Sequence, residues 1–170
     1  MQVPYSPSAV ANFFLRIGQD QNAKLTQMKL HKLLYYAHGW HLAFTESPLL
    51  DEMIEAWQYG PVVPSVYQEF KDLGSQPIGR FAVEWREDSR GGLRSIEPQI
   101  EATDPVVPAF LTRIWDVYGK FTAAQLSRMT HVADGPWEKT RRKYPGIHGV
   151  DIQNEDIRDY FKERLADGRT

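Results

Sequence analysis

Apolar residues recur at helical spacing over most of this chain, and the breaks between those runs carry helix-start and helix-stop residues. Ser6 followed by Pro7 reads as an N-cap and first-turn pair, after which Val10, Phe13, Phe14 and Ile17 recur every three or four residues until Gly18. This predicts a first helix over about 7–17. Thr26 can cap a second helix reaching about Phe44, and a rotation of about 100° per residue puts Leu30, Leu33, Leu34, Ala37, Trp40 and Phe44 on one broad face. Tyr35, Tyr36 and Leu42 widen that face, so this helix is expected at the centre of the fold.

The next stretch changes period. Met53 to Trp57 reads as a short strand stopped by a turn at Gly60-Pro61, and Pro64 opens a short helix with Val66, Tyr67 and Phe70 on one side and Gly74 at its end. Phe81, Val83 and Trp85 alternate with polar neighbours in the period-2 pattern of a half-buried strand, and the DSRGG turn followed by LRSIE predicts a hairpin. Asp104-Pro105 or Val107-Pro108 opens an amphipathic helix whose stripe is Val107, Phe110, Leu111, Ile114, Trp115 and Tyr118, closed by Gly119. Thr122 with Gln125 forms a capping box for a helix carrying Leu126 and Met129. After Gly135-Pro136 comes a short basic helix, WEKTRRKY, and Asn154 can cap a last helix whose Ile157, Tyr160, Phe161 and Leu165 face the core. The fold class expected is mainly α (α+β): about seven short helices with a small antiparallel β-sheet or hairpin. With no linker or repeat, residues 1–170 read as a single compact domain.

Composition narrows the function. The 170 residues hold 20 Lys+Arg against 22 Asp+Glu, a net charge of -2, which gives no strong electrostatic grip on nucleic acid or an anionic membrane. The absence of cysteine removes disulfides, thiolate metal sites and cysteine nucleophiles. The start, MQVPYSPSAV, lacks a basic leader pattern, and no run of about 18 apolar residues occurs, so a cytoplasmic protein that crosses no membrane is expected. Five Trp, 8 Tyr and 8 Phe are an excess that fits either a dense core or a docking surface.

Candidate chemistry is sparse. His31, His38 and His41 fall within an arc of about 80° on the second helix, and neutral imidazoles at such spacing can bind zinc, which would make a metal-dependent hydrolase. No Asp or Glu lies on that helix before Glu46, however, and the arc borders the apolar face, where histidines commonly sit at the edge of a core. No nucleophile elbow, phosphate loop or H-E-x-x-H motif is present, so neither a catalytic residue nor a cofactor is assigned. The basic run Lys139, Arg141, Arg142 and Lys143 reads first as a solvated helix C-terminus and second as a partner contact.

Three segments carry more than periodicity. MKLHKLLYYAHGWHLAF, then EAWQYGPVVPSVYQEF, then LSRMTHVADGPW together resemble the signature of the Panacea domain, the family of SocA-like antitoxins and phage-associated GepA-type proteins. The matching positions are Lys29, Leu30, Lys32, Leu33, Tyr35, Tyr36, Trp40 and His41; Glu55, Ala56, Trp57, Tyr59, Gly60, Pro61, Val62 and Pro64; and Leu126, Ser127, Thr130, His131, Pro136 and Trp137. His38 departs from the Gln expected between the two aromatics, and the stretch from Asp88 to Gly92 matches no fixed pattern. The resemblance implies a non-enzymatic antitoxin that binds a cognate toxin encoded beside it. A family alternative is a proteolytic adapter that hands the toxin to a AAA+ protease. Much of the signature has a structural use, with Leu33 and Trp40 as core and Gly60-Pro61 as a turn.

A partner surface is expected at that turn. Rigid aromatics on a short connection lose little entropy on docking, which makes Tyr59 the first choice of anchor, with Trp57 and Tyr67 beside it and Arg141 or Arg142 as charged neighbours. The competing role for Trp57 is packing on the second helix.

Overall fold

The computed structural model describes residues 4–168. α1 (Pro7–Asp20) begins where Ser6 Oγ accepts from the Ala9 amide at 3.3 Å, and α2 (Gln27–Thr45) where Thr26 Oγ1 accepts from the Lys29 amide at 3.4 Å. Then follow β1 (Ile54–Trp57), β2 (Gly60–Val62), α3 (Pro64–Phe70) with a 3-10 turn at Lys71–Leu73, and the hairpin β3 (Glu84–Glu87) and β4 (Leu93–Ile96). The chain closes with α4 (Val106–Tyr118), α5 (Ala123–Thr130), α6 (Pro136–Lys143), β5 (Val150–Ile152) and α7 (Asn154–Ala166). Among the described residues these are seven α-helices and two small antiparallel sheets, a mainly α, α+β fold.

α2 is central, as its apolar breadth implies: every residue from Leu30 to Ala43 is buried. A helix buried around its whole circumference must be surrounded, and α1, α4, α5, α7 and β2 pack against it. Phe161 of α7 meets Tyr35, Tyr36 and Trp40 edge-on at 5.7, 5.9 and 5.0 Å between ring centres, while Tyr36 stacks on Tyr118 at 4.1 Å. Trp40 Nε1 donates to the Tyr118 hydroxyl at 2.7 Å and Trp115 Nε1 to Gln21 Oε1 at 2.8 Å, so both indoles are buried with their polar atoms satisfied. Much of the aromatic excess is therefore core. Asp104 Oδ1 accepts from the amides of Val106 and Val107 at 2.9 and 3.0 Å and so caps α4, and Tyr5 donates to the other carboxylate oxygen at 2.8 Å.

Four local expectations need correction. Gly60 and Pro61 are not the turn that ends the strand: Gln58 and Tyr59 make the connection, and Gly60–Val62 is an edge strand paired to β1 in the register Glu55↔Val62, Ala56↔Pro61, Trp57↔Gly60. An edge position tolerates the missing amide of Pro61. The sheet order β2-β1-β5 also contains Val150–Ile152, a strand too short to announce itself in sequence, with Ile152 opposite Ile54.

The 81–85 alternation does not bury the Phe81, Val83 and Trp85 face as a unit: Phe81 is half-buried against the core, Val83 is exposed, and the strand begins only at Glu84. Trp85 and Leu93 are 67% and 72% exposed while Ala82 is buried, because Asn12 of α1 fixes the approach to β3. Its side-chain amide donates to the carbonyls of Ala82 and Pro98, both at 3.0 Å, and its Oδ1 accepts from the Ala82 amide at 2.7 Å. Asn154 starts α7 but does not cap it; its Oδ1 bonds His38 instead. Phe44 and Leu165, both expected inward, lie at helix ends and are exposed.

Candidate functional site

The three signature segments converge on one object, the β1–β2 hairpin. Gly60 has φ +115°, a region that strains L side chains, and a Cβ there would lie 2.6 Å from Lys32 Cε and 3.1 Å from Thr130 Oγ1. Glycine is thus required twice, by its own positive φ at the start of β2 and by the close approach of side chains from α2 and α5. The hairpin's polar backbone groups are then taken up by side chains from three helices. Trp137 Nε1 of α6 donates to the Trp57 carbonyl at 2.7 Å, Ser127 Oγ of α5 to the Tyr59 carbonyl at 2.9 Å, and Lys32 Nζ of α2 to the Pro61 carbonyl at 3.1 Å. Just beyond the strand, the Val63 amide donates to His31 Nδ1 at 3.2 Å. Thr130 Oγ1 donates to the Ser127 carbonyl at 2.7 Å, and the His131 ring stacks on Trp137 at 3.9 Å and 8°. Elsewhere in the signature, Lys29 Nζ donates to the Gly119 carbonyl at 2.5 Å and closes the end of α4, while Leu33, Tyr36 and Trp40 are core.

Between this hairpin, α2 and α3 lies an open cleft of about 370 Å³. Trp57, Tyr59, Tyr67, Met28 and His148 wall it, and His31 and Lys32 also line it. The Trp57 ring sits edge-on to Tyr67 at 4.6 Å and against His148 at 4.5 Å, so it packs within the cleft wall and is only partly buried. Tyr59 stands 64% exposed at the tip. The cleft therefore gathers the three aromatics singled out from sequence. Arg141 and Arg142 do not line it; Arg142 is engaged with Asp134 at 3.2 Å and Glu138 at 3.3 Å. His148, on the loop before β5, gave no sequence signal, and Lys32 looked like any helical lysine.

Lys32 is the electrostatic oddity. It is 2% exposed, no ion pair within 4.0 Å engages it among the described residues, and burial pulls its ammonium down to about 8. His31 beside it is pushed down to about 3 by burial and then by the Lys32 charge. Because His31 Nδ1 accepts from Val63, its proton sits on Nε2, facing Gln27 Oε1 at 3.4 Å. Gln27 in turn donates to the Phe70 carbonyl at 3.2 Å, so one neutral relay ties both ends of α3 to α2.

The other two histidines are held elsewhere. His38 Nδ1 accepts from the Leu50 amide at 3.3 Å and its Nε2 bonds Asn154 Oδ1 at 2.8 Å, while His41 Nδ1 meets the Ser47 carbonyl at 2.7 Å. Each ring is oriented by its own protein partners, and no group of three or more metal-ligating side chains comes together among the described residues. The arrangement suits a docking surface: a tied-down backbone presenting aromatics.

Over 157 residues the chain is 32% identical to Antitoxin SocA of Caulobacter vibrioides (strain NA1000 / CB15N), an alignment covering 91% of this chain and 81% of that protein. No solved structure matches it. No helix among the described residues is long and apolar enough to cross a membrane. The model of the SocA-like antitoxin Panacea domain matches residues 30–138, which run from the first turn of α2 through the β1–β2 hairpin and α5 into the start of α6, and the chain belongs to that family.

Proposed function

We propose that this chain neutralises a cognate toxin encoded beside it by direct protein–protein contact, without catalysis, using the β1–β2 hairpin and the cleft beneath it. The observation that carries this reading is Tyr59: an aromatic 64% exposed on a turn whose flanking carbonyls are bonded by α2, α5 and α6. Such a turn loses little freedom on binding, so the apolar area it buries appears as affinity. Arg141 and Arg142 of α6 serve as rim contacts, where charge tunes encounter more than strength.

The test is growth. The neighbouring reading frame is expressed alone, then with this chain, in a host with its AAA+ proteases intact and in a host lacking them. Growth restored in both hosts is the expected result. Rescue lost with the proteases would assign the chain to protease delivery instead, and an adjacent frame that never arrests growth would remove the antitoxin reading altogether.

A further inference from the structure

We propose that the cleft beneath the β1–β2 hairpin receives a carboxylate-bearing segment of the toxin, an acidic side chain flanked by an apolar one, with Lys32 as its counter-charge. The inference rests on the reading that a toxin docks on this face. Burying an ammonium is costly unless a carboxylate accompanies it, yet Lys32 spends one of its three N–H donors on the Pro61 carbonyl and has no acidic neighbour within ion-pair distance among the described residues. No Asp or Glu lines the cleft. Of the other titratable groups there, His31 is held neutral with both ring nitrogens bonded, and none of the rest, His148, Tyr59 and Tyr67, is a carboxylate. The site is thus complementary in charge to a partner's carboxylate, and in a place dry enough for a charge-assisted hydrogen bond to be strong.

The walls select the source. Trp57 and Tyr67, packed edge-on at 4.6 Å, together with Met28 offer apolar contact that a small hydrated anion cannot use and a side chain next to an acidic residue can. Gly60 keeps the lysine stem in place, since any Cβ there would push it aside.

Calorimetric titration of the full chain with the capped peptide Ac-Gly-Leu-Glu-Phe-Gly-NH2 and with its Gln counterpart tests this. The Glu peptide is expected to bind at least tenfold more tightly, to weaken toxin binding when added in excess, and to lose its advantage in Lys32→Met. Equal or absent binding of the two peptides, an advantage that survives Lys32→Met, or sodium phosphate binding as tightly as the Glu peptide would overturn the proposal. Should Lys32→Met fail to fold, Met28→Asp places a carboxylate on the exposed rim; it should weaken the Glu peptide and spare the Gln peptide, and an unchanged Glu peptide overturns the proposal equally. Toxin that binds wild type and Lys32→Met alike sinks the carboxylate assignment alone. Toxin that does not bind wild type at all sinks the neutralisation reading and the occupant with it.

Discussion

Gly39 of α2 lies flat against the ring of Phe161 of α7, so close that a Cβ at Gly39 would sit 2.2 Å from Phe161 Cε2. The contact sets the separation of the two helices that carry the aromatic core. Gly39→Ala would gain about 1 kcal/mol in helix propensity, but overpacking a rigid core costs about 1–3 kcal/mol, and an overlap this deep belongs at the upper end. Urea unfolding at pH 7 should show a net loss of stability. A variant as stable as wild type would mean that α7 can slide away freely.

Trp40 and Trp115 are buried by different helices and both donate their indole N–H internally. Truncating either to Ala should cost about 3–5 kcal/mol, a large share of the stability of a domain this size. Thermal melts of the purified variants check this, and two well-folded proteins with unchanged melting temperatures would contradict the core described above.

The clamp on the hairpin makes a different prediction. Ser127→Ala or Trp137→Phe leaves a carbonyl of Tyr59 or Trp57 without its donor, which typically costs about 1–3 kcal/mol if the group stays dry. Hydrogen exchange should accelerate at β1 and β2 while the amides of α2 stay protected. Uniform acceleration would show that the hairpin is not a separately tied unit.

Burial pushes His31 down to about 3 and His38 down to about 4. Both are lowered below the ordinary histidine value near 6.5, so below that pH the unfolded chain takes up two protons that the folded chain refuses. Stability should therefore be complete at neutral pH and fall as pH drops from about 6.5 toward 4, with roughly 3–4 kcal/mol lost by pH 5. Urea titrations at pH 7 and pH 5 measure it, and equal stabilities would contradict the neutral, internally bonded imidazoles.

The helices were legible because their signals are local: Ser6, Thr26 and the Thr122–Gln125 box each sit at the start they cap, and the stripes are read within one helix. What was not legible depends on distant partners. Val150–Ile152 is a strand only because Ile54 lies opposite, and Ala82 rather than Trp85 turns inward because Asn12 holds its backbone. Period-2 alternation marks two faces without saying which is inside. At the site, Trp57, Tyr59 and Tyr67 were readable as aromatics around a glycine turn. The buried position of Lys32 was not, since a lysine on a helix ordinarily reads as solvated and only the fold brings Gly60 down over it.

The most direct measurement is the affinity of the purified chain for its cognate toxin, by calorimetry, with and without Tyr59→Ala. Tyr59 makes its exposed contribution at the hairpin tip through its side chain, while the clamp engages only its carbonyl. The substitution should leave the melting temperature unchanged and weaken the complex by about 2 kcal/mol or more, roughly thirtyfold. A complex of undiminished affinity in a folded Tyr59→Ala protein would contradict the assignment of this hairpin as the toxin-binding surface.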